Sequence, residues 1–287
     1  MFAMSTASWL CRDRILDLGA PVVMGVLNVT PDSFSDGGRF NERDAALARA
    51  RVMIGEGAGI IDIGGESTRP GAVAAGADEE LSRVIPVIES LRSESAVFIS
   101  IDTSKPAVMR AACAAGADII NDVRALDEAD ALDMAAATRA GICLMHMRGE
   151  PRTMQESPHY DDVVAEVGAF LAQRISACRA AGIELARLAV DPGFGFGKRL
   201  PHNLALLKHL RDLQKLGVPL AVGLSRKSML AKLTGRSVDD RTAGSVALAA
   251  IAVLNGARIV RAHDVAATVD AVRVAAAVTL GEQFDGT

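Results

Sequence analysis

Short runs of apolar residues alternate with longer alanine-rich amphipathic stretches along most of the chain. The short runs predict strands at Val22–Leu27, Ile60–Ile63, Val97–Ile101, Ile119–Asn121, Ile142–Met145, Leu188–Val190, Leu220–Val222 and Arg258–Val260. The longer stretches predict helices at Glu42–Glu56, Asp78–Leu91, Lys105–Ala115, Ala129–Ala140, Asp161–Ala181, His202–Leu216, Arg241–Asn255 and Asp264–Thr279. Many of these helices are followed by a glycine, as is common at helix ends.

This order of elements indicates the fold class. Strict alternation of strands and helices requires a parallel sheet, because each helix carries the chain back to the start of the next strand. About eight such repeats in a chain of 287 residues favour an α/β fold of the closed (β/α)8 TIM-barrel type over an open sheet. We find no linker or shift in composition, so we expect one barrel domain over 21–287 after an N-terminal extension, 1–20.

Polar side chains collect where the predicted strands end. In a barrel, the carboxyl ends of all strands meet on one face, and active sites are built there. Taken singly, Asp62 or His146 could equally cap a turn or be a satisfied buried group. As a set, these residues predict a ligand pocket, and they are Asn28, Asp62, Glu66, Asp102, Asn121, His146, Asp191, Lys227, Arg261 and His263.

The segment Leu188–Lys198 indicates the chemistry of the ligand. Its apolar run reaches Asp191 and breaks at once into a glycine-rich turn. A carboxylate at that point can accept two hydrogen bonds side by side, which suits an amidine-like edge with N–H and NH2 donors. Basic loops, Ser225–Ser228 and Arg261–Asp264, follow the seventh and eighth strands, where barrels frequently bind phosphate. We therefore predict a ligand that is anionic at one end and rich in donors at the other.

Composition narrows the possible partners. The formal net charge of −4 argues against non-specific nucleic-acid or membrane-surface binding, and an aromatic content of 3% argues against base stacking. Cys11, Cys113, Cys143 and Cys178 have no metal-ligand spacing and are predicted to be reduced and mostly buried. Without a signal peptide or an apolar run of membrane-spanning length, we expect a soluble cytoplasmic protein.

Two long segments carry a family resemblance. Met24–Gly38 (MGVLNVTPDSFSDGG) and Ile61–Gly71 (IDIGGESTRPG) resemble the two signature segments of the bacterial dihydropteroate synthases. The likeness continues in order through Ser100–Pro106, Ile119–Asp122, Cys143–Met147, Asp191–Lys198, Ser225–Met229 and Arg261–Asp264. It covers nearly the whole chain from about Val22 onward.

The resemblance implies a reaction of folate synthesis. In it, p-aminobenzoate displaces pyrophosphate from 6-hydroxymethyl-7,8-dihydropterin pyrophosphate, and 7,8-dihydropteroate is formed. It also implies a Mg2+-dependent transferase of a non-methyl alkyl group, inhibition by sulfonamides and a homodimer.

The resemblance also implies roles for individual residues. The pterin is expected to bind to Asp102, Asn121, Asp191 and Lys227. The pyrophosphate is expected to bind to Asn28, Thr68, Arg261 and His263, with Asn28 also a ligand of Mg2+. The p-aminobenzoate site is expected to comprise Phe34, Thr68, Pro70, Phe196 and Ser228. Catalytic roles are expected for Lys227, Asp102, Asp36 and Arg69.

Two alternatives remain open on the sequence. A pterin-binding paralogue without condensing activity, or a methyltetrahydrofolate-type methyl-transfer module, would share the acidic pterin floor but would not need both signature segments. A sugar-phosphate enzyme would explain the basic loops but not the carboxylates and amide. Release of pyrophosphate from the pterin substrate distinguishes these possibilities.

Overall fold

The computed structural model describes residues 7–30, 38–66, 75–150 and 153–281. Its strands are β1 (Ser8–Cys11), β2 (Arg14–Asp17), β3 (Val22–Asn28), β4 (Ile60–Gly64), β5 (Phe98–Asp102), β6 (Ile119–Asp122), β7 (Gly141–Met145), β8 (Leu188–Asp191), β9 (Ala221–Gly223) and β10 (Ile259–Ala262). Its helices are α1 (Gly38–Gly55), α2 (Ala77–Glu94), α3 (Pro106–Ala115), α4 (Ala131–Thr138), α5 (Val163–Ala180), α6 (Leu200–Lys208), α7 (Ser228–Thr234), α8 (Thr242–Leu254) and α9 (Val265–Leu280).

The strands β3–β10 form one parallel sheet that curves into a barrel. Neighbouring strands are hydrogen-bonded in the order β8-β7-β6-β5-β4-β3-β10-β9. The first and last strands of this order, β8 and β9, approach each other. Val190 of β8 forms a parallel bridge with Leu220, just before β9, and the Val190 N–H donates to the Pro219 carbonyl at 3.0 Å. The helices lie between successive strands, so the predicted (β/α)8 barrel is confirmed. Each predicted strand agrees with the observed one to within two residues at either end.

Some elements differ from the sequence-based prediction. The hairpin β1–β2 and the short helix α7 were not predicted. The predicted single helix His202–Leu216 is wrong, because α6 ends at Lys208 and the chain continues as a 3-10 helix over Leu210–Leu216. Leu210 and Leu213 are both fully buried, and their spacing of three residues matches the three-residue turn of a 3-10 helix.

The alternation of side chains along each strand places polar groups inside the barrel. On β4, Ile61 and Ile63 pack in the cluster that faces the helices, whereas Ile60 belongs to the cluster at the start of the strands. Since side chains two residues apart share a face, Asp62 follows Ile60 into the barrel interior. The interior is therefore apolar at the amino ends of the strands and polar toward their carboxyl ends.

The hairpin β1–β2 closes the amino end of the barrel. Trp9 and Leu18 are fully buried there, and the Trp9 indole N–H donates to the Arg187 carbonyl at 2.8 Å. They pack with the first inward residues of the barrel strands, which include Met24, Ile60, Ile119, Cys143, Ala189, Ala221 and Ile259. All four cysteines are free and buried, as the sequence predicted. Within the described ranges, no helix combines the length and hydropathy needed to cross a membrane.

The packing of Trp9 leads to a prediction on stability. Trp9→Ala should lower the free energy of unfolding by about 3–5 kcal/mol, because it leaves a cavity at the base of the barrel. It also removes the donor for the buried Arg187 carbonyl. Chemical denaturation with urea measures the change. Ile15, on the same hairpin, is 69% exposed, and Ile15→Ala should change stability by less than about 0.5 kcal/mol. Equal effects of the two substitutions would contradict this role of the hairpin.

Candidate active site

Two carboxylates and an amide from adjacent strands form one side of the barrel mouth. The parallel register places Asp102 of β5 beside Asn121 of β6. The Asn121 amide donates to Asp62 Oδ2 at 3.2 Å, so the three side chains form a continuous polar surface, the acid–amide floor. Asp62 Oδ1 and Ser100 Oγ are buried without a hydrogen-bond partner among the described residues. Buried polar atoms of this kind normally pair with a ligand or with water, so the floor is suited to receive donors.

Arg261 extends from β10 across the barrel to this floor. Its Nε donates to Asp62 Oδ2 at 2.6 Å, and its Nη2 donates to Asp102 Oδ2 at 2.7 Å. Burial raises the pKa of Asp102 above its ordinary value, while the charge of Arg261 opposes that rise. Burial alone would lower the pKa of Arg261, but the charges of Asp62 and Asp102 more than offset it. Arg261 was predicted only as a pyrophosphate ligand, and the structure pairs it with the two carboxylates of the floor.

Asp191 lies at the end of β8 on the opposite side of the mouth. Its Oδ1 accepts a hydrogen bond from the Gly193 N–H at 2.6 Å. Its Oδ2 faces Gly223, where an added Cβ would lie 4.0 Å from that oxygen. Burial raises the pKa of Asp191 to about 6, against the Gly193 hydrogen bond and the charges of Lys227 and Lys198. One carboxylate oxygen is therefore held by the backbone and the other is directed toward the space beside β9.

Lys227 brings a second half-buried cation to the mouth. It follows Arg226, whose φ of 57° turns the chain after β9. The Lys227 Nζ lies 4.1 Å from the centroid of the Phe196 ring, a cation–π contact. Burial lowers the pKa of Lys227 to about 8, with Arg261 acting in the same direction. Ser228, the next predicted residue, begins α7 and is exposed.

The two basic loops are tied to each other. The Arg226 guanidinium forms a bidentate ion pair with Asp264, with N···O distances of 3.0 and 2.5 Å. The His263 backbone N–H donates to Ser225 Oγ at 3.2 Å, and the His263 Nδ1 lies 3.1 Å from the same oxygen. Burial and the charge of Arg261 lower the pKa of His263 to about 4, so its imidazole is neutral near pH 7.

Asn28 completes the described part of the mouth. It ends β3, and a Cβ added at Gly64 would lie 3.8 Å from both Asn28 Oδ1 and Asp102 Oδ2. The amide oxygen is therefore on the same face as the floor. Five predicted residues lie outside the described residues, and their roles stay predictions: Phe34, Asp36, Thr68, Arg69 and Pro70.

No specific role follows from the sequence for three residues that the structure places around this mouth. Asp62 was recognised only as a polar strand end, although it holds Arg261. Ser225 and Lys198 were noted only as members of motifs. From the sequence, His146 could either line the pocket or be a satisfied buried group, and the structure buries it with its Nδ1 2.8 Å from the Lys198 Nζ. Strand alternation could have identified Asp62, but the contacts of Ser225 and Lys198 depend on the loops.

The fold and the site together define a class of protein. A barrel whose mouth places buried carboxylates and an amide beside two half-buried cations suits a flat, donor-rich heterocycle that carries an anionic group. Residues 24–263 match the family described as "Pterin binding enzyme".

Proteins similar to this chain agree with this class. The dihydropteroate synthase of Escherichia coli (strain K12) is 54% identical over 259 residues, which cover 90% of this chain and 92% of that protein. A Yersinia pestis dihydropteroate synthase structure with a sulfonamide drug complex has a TM-score of 0.91 at 50% identity, covering 96% of this chain and 100% of the other. A Xanthomonas albilineans dihydropteroate synthase in complex with 7,8-dihydropteroate has a TM-score of 0.86 at 52% identity, covering 94% and 98%. The chain belongs to the dihydropteroate synthase family of pterin-binding enzymes.

Proposed function

We propose that this chain condenses 6-hydroxymethyl-7,8-dihydropterin pyrophosphate with p-aminobenzoate, giving 7,8-dihydropteroate and pyrophosphate, and is therefore a transferase of an alkyl group other than methyl. The proposal rests on one observation: three carboxylates, an amide and a guanidinium lie together at one barrel mouth. They belong to Asp62, Asp102, Asp191, Asn121 and Arg261. The pterin ring has an edge with N–H and NH2 groups, which two carboxylates and an amide can satisfy. A methyl-transfer module could use the same floor, but the relatives found over most of the chain are synthases.

In the proposed reaction, the residues act mainly through position and charge. Asp191 receives the donor edge of the pterin, and Asp102 with Asn121 satisfies the remaining ring groups. Lys227 donates to the pterin, and Arg261 with His263 binds the diphosphate. As the diphosphate departs, positive charge develops on the pterin and lies near the carboxylates. Such preorganised charges stabilise a transition state in which charges separate, and they need no strong general base.

The second substrate is proposed to bind between Lys227 and the loops. The Phe196 ring, already held under Lys227, would form one wall for the arylamine ring. Ser228 at the exposed start of α7 would receive its carboxylate. Phe34, Thr68 and Pro70 are proposed for the rest of this site, with Asp36 and Arg69 acting during catalysis. Sulfonamides, as arylamine mimics, are proposed to compete for it.

Mg2+ is the proposed metal. The described side chains include no group of three or more His, Cys, Asp or Glu residues that could hold a metal by themselves. Mg2+ is usually bound through substrate phosphates and one or two protein oxygens. Asn28 Oδ1 would be the protein oxygen, and the ion would neutralise charge on the diphosphate. Thr68 is proposed to contact the same diphosphate.

The test of this function is a turnover assay. Purified protein, the pterin pyrophosphate, p-aminobenzoate and Mg2+ should yield pyrophosphate and 7,8-dihydropteroate in equal amounts. Omission of p-aminobenzoate serves as the control for simple hydrolysis. Chelation of Mg2+ should abolish turnover, and added Mg2+ should restore it. A folded protein that binds the pterin but releases no pyrophosphate would reject the synthase assignment.

The buried charges predict the pH dependence of kcat/KM for the pterin substrate, which reports the free enzyme. Asp191, with its pKa raised to about 6, must be ionised to accept two donors, so kcat/KM should rise as the pH increases through about 6. Lys227, with its pKa lowered to about 8, loses its charge above that value, so kcat/KM should then fall. Rates measured from pH 5 to pH 9.5 provide the check. Calorimetry with a pterin lacking the diphosphate excludes the titration of the substrate's own phosphates, and a flat profile would contradict both assignments.

We also propose that the protein acts in the cytoplasm as a homodimer. Apolar side chains are exposed on the adjacent helices α8 and α9, namely Ile251, Leu254, Val274 and Val278. Burial of such side chains against a second copy would remove apolar surface from water. Analytical ultracentrifugation tests the proposal, and Val274→Glu with Val278→Glu should shift a dimer toward monomer.

A further inference from the structure

Lys198 is a buried cation that takes no part in the proposed reaction. Its side chain is 2% exposed. Its Nζ donates to His146 Nδ1 at 2.8 Å, to the Gly193 carbonyl at 2.9 Å and to the Phe196 carbonyl at 3.0 Å, with the His146 carbonyl at 3.3 Å. An ammonium group has three donors, so these acceptors satisfy it fully. Lys198 has no N–H left for a substrate.

The acceptors belong to two separate pieces of chain. His146 follows β7, whereas Gly193 and Phe196 lie in the glycine-rich turn after β8, residues 192–198. The turn lies directly on the exit of β7, because a Cβ at Gly193 would come within 1.9 Å of the His146 carbonyl oxygen. A Cβ at Gly197 would come within 2.2 Å of the Arg148 carbonyl oxygen. Lys198 therefore joins two backbones that only glycine allows to approach so closely.

The same turn determines what the mouth of the barrel presents to substrates. Gly193 donates its N–H to Asp191, and Phe196 lies under the Lys227 Nζ. A Cβ at Gly195 would lie 3.2 Å from Lys227 Cδ, so the turn also contacts the stem of that lysine. Displacement of the turn would move the Phe196 ring and remove the contacts that the turn makes with the Lys227 side chain. The acid–amide floor is on β4, β5 and β6 and does not depend on this turn.

We propose that Lys198, oriented by His146, is a positioning residue that holds the glycine-rich turn so that Phe196 and Lys227 form the wall for the arylamine substrate. The proposal rests on the proposed function, from which the identity of that substrate is taken. Lys198 acts through the turn and does not touch either substrate.

The charges of the two side chains support this arrangement. Burial lowers the pKa of His146 to about 3, so its imidazole is neutral and Nδ1 can accept from Lys198. The ring proton then lies on Nε2. Burial lowers the pKa of Lys198 to about 7, while the Asp191 carboxylate opposes this shift. In either charge state, the amine can donate to the carbonyl groups around it.

The test compares three variants by steady-state kinetics. Lys198→Met keeps the apolar stem and removes the donors, so KM for p-aminobenzoate should rise on the order of 10–100-fold through misplacement of the wall. The dissociation constant of a pterin without diphosphate should rise less than KM for p-aminobenzoate, because Asp102 and Asn121 of the floor stay in place. Equal losses in both would indicate general disorder. His146→Asn keeps an acceptor near the Nδ1 position, whereas His146→Leu removes it. His146→Leu should therefore resemble Lys198→Met, and His146→Asn should stay close to wild type.

A measurement without turnover separates this proposal from the proposed function. In protein labelled with 15N-histidine, the His146 resonances should show a neutral ring with the proton on Nε2 and a hydrogen-bonded Nδ1, and Lys198→Met should shift Nδ1. If the wild type fails to release pyrophosphate while this spectrum is observed, the function fails but the Lys198–His146 contact stands. A wild-type KM for p-aminobenzoate in folded Lys198→Met would overturn the proposal. If Lys198→Met does not fold, equal kinetics of His146→Asn and His146→Leu would overturn it.

Discussion

Asp191→Asn should weaken pterin binding by roughly two to four orders of magnitude while the protein remains folded. The proposed contact consists of two charge-assisted hydrogen bonds, each worth about 1.5–3 kcal/mol. Their loss corresponds to roughly 10²–10⁴ in the dissociation constant. The Asn oxygen can still accept from the Gly193 N–H, which now holds Asp191 Oδ1 at 2.6 Å. The NH2 group would then face the donors of the ligand, and two donors repel each other.

Isothermal titration calorimetry with a pterin measures this effect. Asp133→Asn, at an exposed position on α4, makes the same chemical change away from the mouth and should leave affinity unchanged. The circular dichroism spectrum and the melting temperature of Asp191→Asn should remain close to wild type, because a buried charge is removed without a change of shape. Affinity within about fivefold of wild type would show that Asp191 does not contact the ligand, since even one lost bond to a charged group exceeds that change.

Arg261→Met should impair both stability and catalysis. It leaves Asp62 and Asp102 buried without their cation, and loss of one partner of a buried ion pair costs about 3–5 kcal/mol. It also removes a proposed donor to the diphosphate, so kcat/KM should fall by about 10²–10³. Arg261→Lys should recover little activity, because a single ammonium cannot bridge two carboxylates as the guanidinium fork does.

The loss of stability in Arg261→Met should depend on pH with a definite sign. Burial raises the folded-state pKa of Asp102 above its unfolded value, and Arg261 opposes that rise, so without Arg261 the folded state binds more protons. Stability contributed by such groups is present at low pH and is lost as the pH rises through the folded pKa. The destabilisation relative to wild type should therefore be smaller at pH 5 than at pH 8.

Urea denaturation at the two pH values tests this sign. Arg236→Met is the matched control, because Arg236 pairs with Asp240 on the surface, where both side chains are mostly exposed. An exposed pair contributes about 0–1 kcal/mol, so its removal should have little effect at either pH. A destabilisation of Arg261→Met that is equal at pH 5 and pH 8 would show that the floor is not neutralised by Arg261.

Particular residues show how far the sequence predicts the site. Asp102, Asn121 and Asp191 were predicted at strand ends and lie at the barrel mouth, because the carboxyl ends of parallel strands share one face. The hairpin with Trp9 was missed. Each strand of this hairpin has only four residues, which is too short for a clear alternation of apolar and polar positions. Its side chains are buried only because they pack on a barrel that forms from later residues.

The sequence by itself determined the alternating elements, and through them the barrel and the set of polar residues at its mouth, because these follow from local periodicity. Only the tertiary structure decided which of those residues pair. Arg261 reaches Asp62 and Asp102 across sequence separations of 199 and 159 residues, and Lys198 reaches His146 across 52. Such pairs depend on the curvature that closes the barrel and on the close approach of two turns. No local pattern encodes that geometry.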